Sequence, residues 1–355
     1  MHGLELSRRF YFEAVRPILE RSRPKLPHAA ALIGYGSDVL GLDDETSRDH
    51  EWGPRIQLFT PEPERKEEVE ALLAAQLPAM VGGFPTNFGP TDEPGTTRIT
   101  PLADGPPAHR AEVLDLGDYL RERIGHDPRE GLDARRWLVM PTQRLLELTA
   151  GAVFADPIGE LTHVRELLGW YPRDVWLYAM AGHWQQIAEY EHFVGRTGSR
   201  GDELGSRLVT ASLVRDLMRL AFLQERSYAP YAKWFGTAYR RLRRPEQPAL
   251  EAALAADDWR SREHALVDAY EAAARRHNDL GVTKTLDPTV RPFWGRPFRV
   301  LFADRFAQAL VAEIEDPELR ALEHPTGAID AFSDNTALRE HPRRWTPLLG
   351  LYDRE

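Results

Sequence analysis

Apolar side chains recur three and four positions apart through MHGLELSRRFYFEAVRPILERSRP, the spacing of a helix with one buried face, over roughly residues 4 to 21. The short apolar run Ala29-Ala30-Ala31-Leu32-Ile33 then predicts a buried strand, which runs into the turn Gly34-Tyr35-Gly36-Ser37. A second strand is expected near His50 to Phe59, closed by Thr60-Pro61. Glu64 to Leu77 returns to helical spacing, with acidic residues in the first turn, where the helix dipole favours them. Residues 82–105, rich in Gly, Pro and Thr, predict loop broken by a short strand at Thr96 to Thr100, and a further strand is expected at Arg110 to Leu116.

Beyond about Asp133 the alternating pattern nearly vanishes, leaving only Ala152 to Phe154 before the Asp156-Pro157 turn. Helices are expected from Tyr171-Pro172 to Phe193, and from Asp202 as N-cap to about Arg226. Others cover 230–243, 247–277 with a break near Trp259, and 297–314. The pattern predicts an α+β protein: a mixed-sheet domain over residues 1–160, followed by an all-α helical domain over 161–355.

Composition narrows the chemistry. The chain contains no cysteine, which excludes disulfide scaffolds, thiolate metal sites and cysteine nucleophiles. A net charge of −10 repels polyanions, so a long nucleic acid is disfavoured as substrate unless a local basic patch overcomes the field. No run approaches the roughly 20 apolar residues of a membrane span, and the N-terminus lacks the continuous apolar stretch of a signal peptide, so a cytoplasmic protein is expected. Only four of the 45 basic residues are lysine, at 25, 66, 233 and 284, which draws notice to each.

The stretch from Gly34 to Arg55 carries the clearest chemistry. A strand ends in Gly36-Ser37, eleven residues follow, and Asp49-His50-Glu51 opens the next predicted strand. On a strand, Asp49 and Glu51 would share a face with His50 opposite. Two carboxylates brought together repel unless a cation lies between them, and a hard divalent metal bound by oxygen is the natural one. The glycine before Ser37 lets backbone N–H groups approach a phosphate. The simpler alternative is that two acids at i, i+2 form the solvent face of an edge strand. A dinucleotide-binding reading of Gly34-x-Gly36 fails, because the third glycine falls at 41 and no βαβ pattern follows.

This layout resembles the DNA polymerase beta-like nucleotidyltransferase superfamily, whose signature is an apolar residue, Gly-Ser, about ten residues, and Asp-x-Asp/Glu. The chain is also similar to an uncharacterised bacterial branch, the domain of unknown function 4037 type, through Asp49-His-Glu-Trp-Gly-Pro-Arg55 and Pro230-Tyr-Ala-Lys-Trp234. The resemblance implies a nucleotidyltransferase fold and a third carboxylate on a later strand. Glu112 in Ala111-Glu112-Val113 is preferred to Asp115, which suits the cap of the next helix. His50 departs from the superfamily, which places an apolar residue between the carboxylates.

The expected site is then Asp49, Glu51 and Glu112 as catalytic and metal-holding residues, with Gly36, Ser37 and Lys233 on the nucleotide. Mg²⁺ or Mn²⁺ is the expected metal and ATP the expected triphosphate. The product would be a nucleoside monophosphate joined to a hydroxyl of a small-molecule acceptor, in a pocket between the domains. A protein acceptor and a non-catalytic nucleotide-binding module remain as alternatives. Lys233 could equally rest on Trp234 with no ligand. Arg196 to Asp202 and Arg291 to Pro297, glycine-bearing and basic, are candidate acceptor-lining segments or ordinary connections. His183 and His192, nine apart, do not share a helical face at metal-ligand spacing and are read as structural.

Overall fold

A computed structural model describes residues 1–322 and 324–353. The N-terminal helix runs as α-helix Gly3–Arg9, a π-helical turn Phe10–Val15, and α-helix Arg16–Ser22. Pro17, near the start of the last part, has no N–H to donate backward, and the wider turn lies just before it.

Four strands form the main sheet: β1 (Ala29–Leu32), β2 (Arg55–Phe59), β3 (Arg110–Leu114) and β4 (Ala152–Ala155). Their order is β3-β2-β1-β4. β1 is antiparallel to both β2 and β4, while β2 and β3 run parallel with Arg55 opposite Arg110 and Gln57 opposite Glu112. A parallel pair needs a long crossover. It is supplied by helix Lys66–Gln76 and two small hairpins, Met80–Val81 with Phe84–Pro85 and Phe88–Pro90 with Thr97–Ile99. One sheet face meets the N-terminal helix, burying Phe10, Val15 and Leu19 with Ile56, Leu58, Ala111 and Val113. Strand alternation turns Arg55, Gln57, Arg110 and Glu112 to the opposite face.

The second strand starts at Arg55, not near His50, which corrects the expected boundary. Gly53 has φ +147° and Pro54 has no N–H, so the ladder cannot extend back through them. The N–H of Glu51 instead bonds the carbonyl of Thr97 in a hairpin at 2.7 Å.

The chain divides into two units, Met1–Gly131 with Arg144–Gly169, and Leu132–Gln143 with the chain from Trp170 on. The sequence reading drew one cut near 160. Residues 144–169 stay with the sheet because β4 pairs with β1. The exchanged segment 132–143 is held in the helical unit, where Trp137 packs edge-on against Tyr171 and the N–H of Thr142 bonds Asp330 at 2.8 Å.

In the helical unit, Asp202 caps helix Glu203–Gln224 by accepting from Gly205 N–H at 2.8 Å. Asp258 caps the restart at helix Trp259–Asp279, which accounts for the break after Gln247–Ala255. Arg262, fully buried, joins these helices by donating to Ser206 Oγ at 3.1 Å and pairing with Glu203. The helix expected from 297 begins only at Asp304, because Arg299–Val300 pairs with Arg291–Pro292. Among the described residues no helix is long and apolar enough to cross a membrane.

Candidate active site

The C-terminal end of β1 and the N-terminal ends of β2 and β3 meet at one end of the sheet, and the glycine turn closes it. Gly34 has φ +89°, and a Cβ there would stand 2.6 Å from the Tyr119 hydroxyl. Gly36 has φ +130°, and a Cβ there would stand 2.1 Å from Arg55 Nη2 and 2.3 Å from Asp38 Oδ1. Gly36 is therefore required first by a buried ion pair. Arg55 reaches Asp38 at 2.5 Å and donates to the Tyr35 carbonyl at 2.8 Å. Burial by itself would lower the Arg55 pKa, but the charge and hydrogen bond of Asp38 beside it outweigh this and raise it. Ser37 is half-buried in the turn, its carbonyl accepting from Leu42 N–H at 2.8 Å.

Two of the three predicted carboxylates come together here, from opposite ends of the crossover. Arg110 Nη2 donates to both oxygens of Glu51 at 3.2 Å, and Nη1 donates to Glu112 Oε1 at 3.3 Å. Glu51 also accepts from Thr97 N–H at 2.8 Å, Thr97 Oγ1 at 3.0 Å and the Tyr35 hydroxyl at 3.2 Å. Tyr35 thus ties the glycine turn to the carboxylates. Its pKa is raised, chiefly by burial; Arg55 opposes the shift while Glu51 and Glu112 add to it.

Asp49 stands apart. Its side chain is 65% exposed, with His50 Nδ1 2.8 Å from Oδ1. The premise that Asp49 and Glu51 share one strand face fails, since neither lies on the strand and Glu51 adopts φ +49°. Asp115 caps helix Leu116–Ile124 by accepting from Asp118 N–H at 2.8 Å, which leaves Glu112 as the strand carboxylate. Lys233 belongs to the helical unit, exposed on helix Ala232–Arg241, with its ammonium 5.1 Å from the Trp234 ring centroid.

The donor chemistry suits a hard divalent cation, but the arrangement does not. Among the described residues no three His, Asp or Glu side chains gather as a metal would need. Arg110 supplies the cation between Glu51 and Glu112 instead.

Sequence reasoning missed Tyr35, Asp38, Arg55 and Arg110. Arg110 and Glu112 sit at i, i+2 on a strand, the pattern that reveals a shared face, and it was read only for Asp49 and Glu51. Arg123 was also passed over. Its guanidinium lies 5.3 Å from the Tyr35 ring centroid and 5.2 Å from that of Tyr119, and Arg123 Nε and the Tyr119 hydroxyl are buried without hydrogen-bond partners.

No curated protein matches the chain. A crystal structure of a nucleotidyltransferase-like protein from Exiguobacterium sibiricum is similar at 12% identity over 79% of this chain and 81% of that one, with a TM-score of 0.33, too distant to carry an assignment. Residues 137–235, which include the Pro230 to Trp234 motif, match the model of a family described as a domain of unknown function, DUF4037.

Proposed function

We propose that this chain is a nucleotidyltransferase, moving a nucleoside monophosphate from ATP to a hydroxyl of a small-molecule acceptor, with its centre at the end of the sheet beside Gly36 and Ser37. The observation that carries the reading is the convergence of Glu51 and Glu112 on one cation next to the glycine turn. Glu51 and Glu112 are the second and third of the three carboxylates that the superfamily resemblance implies, and the DUF4037 match over residues 137–235 agrees with the bacterial branch. In such a transfer the acceptor oxygen bonds the α-phosphorus, the bond to the bridging oxygen breaks, and pyrophosphate leaves. Glu112, more exposed than Glu51, is assigned to take the hydroxyl proton. Mg²⁺ or Mn²⁺ on Asp49, Glu51 and Glu112 enters the proposal only as what the resemblance implies; with Asp49 apart and Arg110 between the two glutamates, no step is assigned to it.

The test is incubation with each labelled nucleoside triphosphate and Mg²⁺, with and without a bacterial metabolite extract, read by pyrophosphate release and mass spectrometry of adducts. Turnover that disappears in Glu51→Gln and Glu112→Gln supports the reading; wild-type protein that neither releases pyrophosphate nor gains thermal stability from any triphosphate overturns it. The engagement of both carboxylates by the single guanidinium of Arg110 favours a second reading, a nucleotide-binding module without turnover, for which triphosphates stabilise the fold but no pyrophosphate appears. Lys233 is assigned to the triphosphate from the resemblance alone. Lys233→Met should weaken ATP binding roughly tenfold to a hundredfold and AMP binding much less, by isothermal titration; equal losses would remove Lys233 from the site.

A further inference from the structure

The residues that lead into the first of the two basic, glycine-bearing segments, His192 and Phe193, meet the second at Phe293 in the helical unit. His192 stacks on Phe293 with ring centroids 4.5 Å apart, and Phe193 lies beside His192 at 4.2 Å. Arg196 sits 5.5 Å from the Phe193 centroid and Arg296 sits 5.2 Å from the Phe293 centroid. Neither guanidinium has a carboxylate within ion-pair distance among the described residues. The nearby acids are engaged: Glu263 accepts from Arg299 N–H at 3.2 Å, Asp287 holds Arg291 at 2.9 Å, and Glu191 is buried against backbone N–H groups. The pKa of His192 is lowered, first by burial and then by Arg196 and Arg296, so both cations bear on the same ring.

Trp294 stands at the tip of the hairpin that carries this stack. The residue is 76% exposed, and its backbone has φ +49°, followed by Gly295 at φ +76°. The turn is closed by Arg296 N–H to the Phe293 carbonyl at 2.9 Å. Two successive positive φ angles are the pattern of a type I′ hairpin turn, where Asn-Gly or Asp-Gly is preferred. A tryptophan in the first place goes against both backbone preference and the tendency of large apolar rings to be buried. Strain of this kind gathers at ligand sites. Phe302 meets the ring edge-on at 5.3 Å, supporting it from one side.

We propose that this face binds single-stranded nucleic acid, with phosphates on Arg196 and Arg296 and a base stacked on Trp294. An exposed ring and carboxylate-free arginines are the two elements a single strand uses: stacking tolerates every base, and the guanidiniums follow the backbone. The acidic chain as a whole limits the footprint to a few nucleotides near the patch, since its field is screened only beyond about 10 Å at ordinary salt. The inference does not depend on nucleotidyl transfer.

Fluorescence anisotropy of labelled decauridylate and decathymidylate with the full chain, at about 50 mM and about 200 mM salt, tests it. Saturable binding to either strand, weakened at the higher salt, is expected. Trp294→Ala should weaken binding roughly 5- to 100-fold, and Trp294→Phe should restore most of it. Arg196→Ala and Arg296→Ala should each lower the salt slope by about 0.7. Far-UV circular dichroism and melting of each variant establish that the fold is retained, as the exposure of Trp294 leads one to expect. No saturable binding at the lower salt, an unchanged affinity in a folded Trp294→Ala, or equal competition by decaglutamate, which would mark an acidic-protein surface, each overturns the proposal.

Discussion

Arginine serves two different ends in the two units. At the end of the sheet, Arg55 and Arg110 are locked to carboxylates, Arg55 in a buried pair with Asp38 and Arg110 shared between Glu51 and Glu112. On the aromatic hairpin of the helical unit, Arg196 and Arg296 lie on rings with no carboxylate partner among the described residues. The first arrangement fixes backbone and carboxylate positions. The second leaves positive charge free for an anion. A guanidinium's neighbours, more than its presence, therefore separate a scaffold cation from a binding one.

Truncating arginines in turn breaks the comparison where it is strongest first. Arg55→Ala should cost about 3–5 kcal/mol in denaturant unfolding, because Asp38 is left buried and unpaired. The double variant with Asp38→Ala should recover part of this, and a loss below about 1 kcal/mol would mean the pair does not hold the glycine turn.

Glu191 is the helical unit's contrary case, a buried carboxylate with no cation at ion-pair distance among the described residues. It accepts N–H from Leu301 at 2.6 Å and Ala303 at 3.2 Å, and burial, only partly opposed by these bonds, pushes its pKa up to about 7. A pKa raised in the folded state gives stability that is fully present below about 4.5 and lost as pH rises through about 7. Stability should therefore fall by an amount on the order of 2–3 kcal/mol from this group between those values. His277, held down to about 4 by burial, slopes the opposite way from about 4 to 6.5, so the wild type must be compared with Glu191→Gln. The difference between their unfolding free energies should change with pH in that window, and a pH-independent difference would refute it.

Arg110→Ala should cost only about 1 kcal/mol, since its partners are partly exposed. It should also enlarge the thermal stabilisation by Mg²⁺, as the two carboxylates lose their resident cation. An unchanged Mg²⁺ response would show that Arg110 does not stand where a metal would. At the small end, Arg296→Ala should stay within about 0.5 kcal/mol of wild type, because an exposed cation resting on a ring contributes little to folding.

The long helices were legible because their apolar spacing and caps are local: Asp115, Asp202 and Asp258 each accept from the first turn of their helix. The strand at Ala29 and the turn after it were legible for the same reason. The strand boundary near His50 was not, although Gly53-Pro54 was in plain view; a ladder needs an N–H at each alternate position and Pro54 has none. Of the predicted site, Glu51 and Glu112 converge, Asp49 does not, and the cation between the two glutamates is a side chain two residues from one of them.

The sequence by itself determined the α+β composition, the drift from strand to helix along the chain, and the two glycines whose positive φ no other residue accepts readily. These depend on interactions within a few residues. Only the tertiary structure decided that β2 and β3 pair in parallel, bringing Glu112 level with Gln57 and within reach of the arginine that holds Glu51, and that the segment after His192 meets the hairpin of Trp294. Such encounters are chosen by which apolar faces bury each other across the fold, and local periodicity carries no record of that choice.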